Sequence, residues 1–170
     1  GEPFEFEGEV GHEFPKPDVL ASATIADLRV CGLGYRAAFL KHVARAVDQG
    51  KVDFTDLASL DYQEARRQLL AKLFGEKVLL GVGPKVADCV LLYSLGQDRA
   101  FPIDVWIARE LARSYPRLFP RVLRRKLSVQ GKARLTLRDY DRVSESARNH
   151  FGSYAGYAQQ YLYMAARSAG

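Results

Sequence analysis

Cysteine is scarce in this sequence, and its scarcity excludes several kinds of site. Only two cysteines, Cys31 and Cys89, occur among 170 residues. A disulfide framework needs more than one pair, and a four-cysteine zinc or iron–sulfur site needs two further ligands. The sequence therefore predicts an intracellular chain in a reducing compartment, held together by its apolar core.

Long apolar runs are also missing. A membrane-spanning helix needs about 18 to 20 consecutive apolar residues, and no stretch of this sequence approaches that length. The first residues, GEPFEFEGEV, are acidic and do not resemble a signal peptide. With 48% hydrophobic and 26% charged residues, the composition is that of an ordinary globular domain, and no membrane partner is expected.

The net charge of +5 is unevenly distributed along the chain. Residues 1–31 hold seven acidic and two basic residues, whereas residues 105–150 hold twelve Lys or Arg and four acidic residues. Such a basic segment fits either a solvated helical face or a surface that binds a polyanion, because neutralised phosphates release counterions. Charge alone does not choose between the two.

The hydrophobic periodicity predicts a mostly α-helical protein. Residues 1–16 alternate apolar and acidic residues around glycines, which indicates an extended lead-in or a small hairpin, and residues 17–170 are expected to form the helical domain. Glycines, prolines and aspartates mark the helix ends, including Asp61 as an N-cap. The predicted helices cover residues 35–50, 60–75, 84–96, 104–115, 118–127, 139–149 and 154–168.

A glycine-rich turn, Gly81-Val82-Gly83, joins two of these helices and makes a helix–hairpin–helix. Glycine lets the backbone approach a ligand closely, and the start of the next helix presents N–H groups with a partial positive charge. This arrangement suits a phosphate of a DNA backbone. A turn of this kind alone is more often a simple connection between packed helices, so its neighbours matter.

Lys85 lies in the first turn of the next helix, where the helix dipole disfavours a positive charge. It is either a surface lysine that touches a phosphate, or an amine that the dipole and partial burial keep neutral. A neutral amine is a nucleophile that forms a Schiff base with a sugar aldehyde carbon. Cys89, four residues on, shares the same helical face and would line the same pocket.

Asp104 follows a proline in the sequence FPID and precedes a predicted helix. Its simplest role is to cap that helix. A capping carboxylate is also rigid and ionised, so it could face the reacting centre. There it could stabilise positive charge on a sugar ring or help to manage the proton of the lysine.

Three separated blocks of the sequence resemble the 8-oxoguanine DNA glycosylase/AP lyase family of helix–hairpin–helix enzymes. They are CGLGYRA at 31–37, GVGPKVADCV with FPIDVW between 81 and 106, and FGSYAGYAQQYLY at 151–163. The resemblance implies a bifunctional enzyme that excises 8-oxoguanine from double-stranded DNA through a lysine Schiff base and β-elimination. It also implies a monomer that requires no cofactor, with backbone carbonyls of the hairpin as a place for a monovalent cation.

The same resemblance implies roles for individual residues in the reaction. Lys85 would be the nucleophile that displaces the damaged base, and Asp104 its catalytic partner. Cys89 and Tyr163 would sandwich the extruded purine, and Gln159 would bind its Watson–Crick edge. Because Gln159 and Tyr163 are four residues apart, they share a helical face, which would otherwise serve only core packing.

Contacts with the duplex are implied for two of the blocks. Tyr35 would wedge into the stack where the base has left, and Arg36 would contact the orphaned cytosine. Without the family, these two residues fit a core tyrosine and a solvated arginine equally well. The resemblance assigns further contacts with DNA to the hairpin residues Gly81, Gly83 and Val86.

The sequence departs from the family pattern in four places. It would correspond to a fragment of a larger two-subdomain enzyme, without the N-terminal sheet subdomain. About seven additional residues precede the glycine turn, and Leu80 replaces a proline there. Trp106 stands where animal members have a histidine that contacts phosphate, and Tyr163 stands in for phenylalanine.

Two other functions remain open at this stage. One is a glycosylase for another lesion, such as an oxidised pyrimidine or an alkylated purine. The other is a non-catalytic helix–hairpin–helix module, which would bind duplex DNA in a salt-sensitive way without forming a covalent intermediate.

Overall fold

A computed structural model of the chain describes residues 1–74, 81–128 and 135–168. The protein is mostly helical with a two-stranded hairpin near its N-terminus, which confirms the predicted fold class. It divides into two compact units, one formed by residues 1–53 with 71–82 and the other by residues 54–70 with 83–170. The predicted boundary between residues 16 and 17 stays a prediction. None of the helices in the described ranges is long and apolar enough to cross a membrane.

The first unit begins with the hairpin. Strands β1 (Pro3–Phe6) and β2 (Glu9–His12) pair antiparallel, and the first residue of β1 lies opposite the last residue of β2. The two turn residues, Glu7 and Gly8, have φ angles of 52° and 82°. Positive φ at both central positions gives a turn whose twist matches that of the flanking strands.

After the hairpin come three α-helices, α1 (Pro17–Ser22), α2 (Ile25–Leu28) and α3 (Arg36–Asp48), with a π-helical segment at Arg29–Leu33 between α2 and α3. Helix α1 packs against α3 over a small core. The buried side chains of that core are Leu20, Leu28, Ala37 and Ala44. A capping box between Thr24 and Asp27 begins α2, because each side chain accepts the backbone N–H of the other residue.

The second unit contains most of the remaining helices, whose bounds are α4 (Phe54–Ser59), α5 (Tyr62–Phe74), α6 (Pro84–Tyr93), α7 (Val105–Ser114), α8 (Arg121–Leu127), α9 (Leu137–Phe151) and α10 (Ala155–Ser168). Helix α5 begins in this unit, and its last four residues belong to the first. Asp61 caps α5 as predicted, because its Oδ1 accepts from the N–H groups of Gln63 and Glu64. Helix α6 is three residues shorter than predicted.

The core of the second unit forms around α7, which packs against α8 and α10. Ile107 and Leu111 of α7 are fully buried, and they lie in one cluster with Phe101, Leu127 and Val143. Burial of one such large apolar side chain contributes about 1.5–3 kcal/mol to folding. This packing fixes α7 and therefore the position of Asp104, which immediately precedes it.

Gly156 lets the start of α10 approach the segment that leads to α7. Its N–H donates to the Asp98 carbonyl oxygen at 2.7 Å. A Cβ atom at this position would lie 2.3 Å from Leu92 Cδ1 and 2.9 Å from the same carbonyl oxygen. Because backbone cannot give way easily, only glycine fits here. The close approach sets the position of Gln159, one turn further along α10.

Candidate active site

The two glycines of the turn differ in their backbone conformation and in the space around them. Gly81 has a φ of 107°, and an added Cβ would lie 2.4 Å from Phe39 Cδ2, so both conformation and space require glycine. Gly83 is extended and precedes Pro84, the first residue of α6. Apart from its chain neighbours, no heavy atom of the described residues lies within 4 Å of an added Cβ at Gly83, so these residues leave the space beside it open. That space is where a ligand backbone could approach the first turn of α6.

Lys85 is the second residue of α6. The Lys85 side chain is exposed, as the first of its two interpretations has it, and the partial burial assumed in the second is wrong. The first turn of α6 borders a cavity rather than the core, which explains the exposure. Lys85 interacts electrostatically with the Cys89 thiol one turn later, which agrees with their shared helical face.

Asp104 caps α7, which confirms the simpler of its two interpretations. Its Oδ1 accepts hydrogen bonds from the N–H groups of Trp106 at 2.9 Å and Ile107 at 2.8 Å. Both bonds use the same oxygen, so Oδ2 is not needed for the cap. The side chain is half-buried and held rigidly. A carboxylate in this state is suited to face a reacting centre as well as to cap a helix.

Lys85 and Asp104 border the same cavity, which has a volume of about 320 Å³. The beginnings of α6, α7 and α9 meet at this cavity. Its lining residues are Gly83, Pro84, Lys85, Val86, Ile103, Asp104, Val105, Leu135, Thr136, Leu137 and Tyr140. Because each helix start carries a partial positive charge, three of them around one cavity favour an anionic ligand.

The predicted base-binding residues lie in the same unit but do not line this cavity. Gln159 is buried, with 4% of its surface exposed. Its Nε2 donates to the Pro102 carbonyl oxygen at 3.2 Å, and its Oε1 accepts from the Tyr93 hydroxyl at 3.4 Å and from Gln160. The amide therefore already has protein partners, and it would have to exchange them to bind a base.

Tyr93 is a candidate residue that the sequence did not identify. Its hydroxyl accepts from Gln160 Nε2 at 2.6 Å, in addition to its bond with Gln159. Burial raises the pKa of Tyr93, and the charges on Cys89 and Asp104 act in the same direction. Through these hydrogen bonds, Tyr93 connects to α10 the face of α6 that carries Lys85 and Cys89. Its spacing of four and eight residues from Cys89 and Lys85 is a signal that the sequence contained.

Tyr163 and Trp106 both lie near the guanidinium of one arginine. The Arg167 guanidinium lies 6.0 Å from the centroid of the Tyr163 ring and 5.7 Å from that of Trp106. Tyr163 is half-buried and packs against the core of the unit. Its role as one face of a base pocket stays a prediction.

Tyr35 and Arg36 belong to the first unit, at the start of α3. Tyr35 is 65% exposed, and the Arg36 guanidinium lies 4.7 Å from the centroid of its ring. Tyr35 also contacts the Phe39 ring edge-to-face, with the centroids 5.8 Å apart. An exposed aromatic ring beside a cation fits a contact with nucleic acid, and the specific roles of the two residues stay predictions.

The pKa of the Cys89 thiol is raised mainly by burial, and the charges of Asp88 and Asp104 add to the effect. Lys85 opposes them, because its positive charge favours the thiolate. The thiol is therefore the form expected at neutral pH.

This arrangement predicts opposite effects of two substitutions on Cys89. In a Cys31→Ser background, we expect Lys85→Gln to raise the pKa of Cys89 and Asp104→Asn to lower it. The measurement is the pH dependence of Cys89 alkylation by iodoacetamide, with Lys126→Gln as a control that should change nothing. If the pKa of Cys89 shifted in the same direction in both variants, the opposite effects of Lys85 and Asp104 on the thiol would be refuted.

The expected cation site involves the backbone before Gly81, and residues 75–80 lie outside the described residues. Within the described ranges, His, Cys, Asp and Glu form no group of three or more that could hold a metal ion.

Comparison with models of known protein families gives no match. Comparison with curated proteins finds clear relatives. The chain is 34% identical over 184 residues to a probable N-glycosylase/DNA lyase of Methanothermobacter thermautotrophicus, an alignment that covers 97% of this chain and 51% of the relative. It is also 34% identical over 160 residues to the N-glycosylase/DNA lyase OGG1 of Arabidopsis thaliana, with coverage of 91% and 38%. The chain thus spans about half, or less, of the length of these relatives.

Solved structures give a consistent result. One is the 8-oxoguanine glycosylase/lyase of Clostridium acetobutylicum in complex with double-stranded DNA that contains cytosine opposite 8-oxoguanine. It matches this chain with a TM-score of 0.74 and 30% identity, over 99% of this chain and 50% of the other. At this level of identity the likeness concerns sequence as well as fold.

Proposed function

This chain belongs to the 8-oxoguanine DNA glycosylase/lyase family, and from that premise we propose that it excises 8-oxoguanine from duplex DNA and then cleaves the abasic strand. The observation that supports the proposal most directly is that Lys85 and Asp104 border one cavity at the starts of two helices. An exposed amine and a rigid carboxylate at a site that favours anions are the groups that this chemistry needs.

In the proposed reaction, Lys85 Nζ attacks C1′ of the deoxyribose as a neutral amine. The bond between C1′ and the base breaks, and the base leaves with the bonding electrons and takes up a proton. Nζ loses a proton as the sugar ring opens, which gives a Schiff base. Loss of a C2′ proton then expels the 3′ phosphate, and water releases the lysine.

Asp104 has two tasks in this proposal. Its carboxylate stabilises the positive charge that builds up on the sugar as the base departs. The cap holds the carboxylate in place, so little reorganisation is needed during the reaction. A proton from Nζ can be accepted by Oδ2, because the cap uses only Oδ1.

Recognition of the lesion requires extrusion of the nucleotide, which costs a few kcal/mol. We propose that Tyr35 fills the vacated stack and that Arg36 contacts the orphaned cytosine. Stacking of the base between Cys89 and Tyr163 would offset part of the cost. Gln159 would bind the base edge after its amide exchanges Tyr93 and Pro102 for the ligand.

The duplex itself is expected to contact basic side chains of the second unit. Three arginines of α8, Arg121, Arg124 and Arg125, border a concavity of about 570 Å³ together with Val122 and Ser128. On the same helix, Lys126 is neutralised by Asp139 at 2.5 Å. The arginines are thus the side chains of α8 that are suited to contact phosphates.

Removal of two of these arginines should weaken the salt dependence of DNA binding. For the double variant Arg121→Gln with Arg125→Gln, the slope of log K against log salt should fall in magnitude by roughly 2, since each phosphate contact contributes about 0.9. The measurement is fluorescence anisotropy on a duplex over a series of salt concentrations.

The matched control is Arg67→Gln with Arg113→Gln. These arginines form ion pairs with Glu64 at 2.6 Å and with Glu110 at 2.8 Å, within their own helices. The control changes the net charge equally but should leave the slope almost unchanged. Equal slopes for the two double variants would mean that only total charge matters and that α8 contacts no phosphate.

The enzymatic proposal is tested by borohydride trapping, because borohydride reduces a Schiff base to a stable amine. We expect the chain to form a covalent adduct with a duplex that contains 8-oxoguanine opposite cytosine, and none with the matched guanine duplex. Binding of the damaged duplex without an adduct would contradict the proposal.

The exposure of Lys85 favours a second candidate function. As a non-catalytic helix–hairpin–helix module, the chain would use Lys85 to contact a phosphate. It would then bind damaged and undamaged duplexes equally, with strong salt dependence and no adduct.

The proposed chemistry uses protein groups alone, so it requires no cofactor, and one monomer supplies every named residue. Its substrate, the DNA of the organism, places it inside the cell. A monovalent cation held by hairpin carbonyls remains part of the proposal.

A further inference from the structure

A buried carboxylate lies on the same helix as Lys85. Asp88 of α6 is fully buried, three residues after Lys85. Its Oδ1 accepts from the Tyr62 hydroxyl at 2.9 Å and from Arg66 Nε at 2.8 Å, and its Oδ2 accepts from the Tyr140 hydroxyl at 2.7 Å. A buried charge persists only when it is paired in this way, so the partners hold α6 in a defined position.

The two tyrosines that bind Asp88 differ in their second partner. The Tyr62 hydroxyl accepts from Arg148 at 2.9 Å, and neither Tyr62 nor Arg148 lines the cavity. The Tyr140 hydroxyl instead accepts the N–H of Ile103 at 3.2 Å. Ile103 immediately precedes Asp104, and both Ile103 and Tyr140 line the cavity.

Tyr140 therefore connects the two helix starts that carry the reacting groups. One hydrogen bond leads from its hydroxyl to Asp88 on α6, and the other leads to the backbone beside the cap of α7. Burial and the Asp88 charge raise the pKa of Tyr140, so the phenol remains a hydrogen-bond donor at every pH at which the protein would work. Both hydrogen bonds of this connection are buried.

We propose that Tyr140 is a positioning residue, whose hydroxyl fixes the separation of Lys85 and Asp104 by linking Asp88 to the Ile103 N–H. This inference rests on the proposed function, since it assigns the two linked residues to one reaction. Although Tyr140 lines the cavity, the role we assign to it acts through Asp88 and the Ile103 backbone rather than through contact with sugar or base. It acts because a misplacement of about 1 Å in a reacting group can slow a reaction by a factor of about 100.

The chain offers a matched pair of variants for the test. Tyr140→Phe and Tyr62→Phe each remove one buried hydroxyl from the same carboxylate, so their effects on stability should be similar. Only Tyr140→Phe removes the link to Ile103. We expect Tyr140→Phe to slow single-turnover release of 8-oxoguanine roughly 10–100-fold. Tyr62→Phe should stay within about threefold of the wild-type rate, and both variants should bind the duplex with wild-type Kd.

Equal rates in the two variants, slow or fast, would overturn the positioning role, because a merely structural hydroxyl would affect both alike. Thermal melting of both variants verifies that each is folded. A loss of DNA affinity in Tyr140→Phe that accounts for its slower reaction would also overturn the inference, since positioning acts on the chemical step.

A second readout separates this inference from the proposed function. Amide hydrogen exchange at Ile103 should become at least tenfold faster in Tyr140→Phe and remain unchanged in Tyr62→Phe, whether or not the chain is active. Unchanged exchange at Ile103 in Tyr140→Phe would refute the link itself. A different outcome would be the expected exchange at Ile103 without a borohydride adduct of the wild-type chain. That result would refute the proposed function, and Tyr140 would then have no reaction to position.

Discussion

Replacement of Lys85 by glutamine should abolish the borohydride adduct and slow base release by a factor on the order of 10⁴ or more, the scale that follows loss of a covalent nucleophile. Glutamine keeps the length and polarity of the side chain but has no basic amine. Because Lys85 is exposed, the substitution should change the free energy of unfolding by less than about 0.5 kcal/mol. The measurements are gel detection of the adduct and single-turnover kinetics.

The control for this prediction is Arg125→Gln, which also removes one positive charge from the second unit. It should weaken DNA binding to a similar extent but leave both the adduct and the rate of base release intact. If Lys85→Gln still forms an adduct, another amine is the nucleophile and the assignment is wrong. If both variants lose activity equally, the loss reflects DNA affinity rather than chemistry.

Asp104→Asn should slow base release about 10²–10³-fold, while α7 remains capped. Asparagine is as good an N-cap as aspartate, because its side-chain oxygen can accept the same N–H groups of Trp106 and Ile107. The substitution therefore removes the negative charge that stabilises the sugar cation and keeps the local structure. Single-turnover kinetics and thermal melting, measured together, check both parts of the expectation.

Asp104→Ala separates the two roles of the carboxylate. It removes the cap as well as the charge, so it should cost about 1 kcal/mol of stability in addition to the loss of rate. If Asp104→Asn retains the full rate and only Asp104→Ala is impaired, Asp104 is simply a helix cap. That outcome would also weaken the enzymatic proposal, because the cavity would lack its second reacting group.

Local features of the fold followed from the sequence. The capping roles of Asp61 and Asp104 were predictable, because a cap depends on residues only two or three positions away. The start of α6 at Pro84 follows from the same short-range preferences. The start of α9 was predicted two residues too late, although its cap, Thr136, which accepts from the Asp139 N–H at 3.1 Å, is a local signal of the same kind. Helix α6 was predicted to continue past Tyr93, where it ends.

Part of the candidate site was also predictable. Lys85 and Cys89 share a helical face by spacing alone, and the Lys85 charge opposes the rise in the pKa of the Cys89 thiol. The sequence left open whether Lys85 is exposed or partly buried, since this depends on which elements cover the first turn of α6. Likewise, spacing placed Gln159 on α10 but gave no indication that Tyr93 and Pro102 already bind its amide.

The sequence by itself determined the helical class, the caps of α5 and α7, and the residues whose pattern marks the family. Only the tertiary structure decided that three helix starts surround one cavity and that Tyr140 joins Asp88 to the backbone beside Asp104. The reason is physical. Caps and helical faces depend on neighbours within about one turn, whereas the Tyr140–Asp88 hydrogen bond joins residues 52 positions apart, and only packing of the core brings them together.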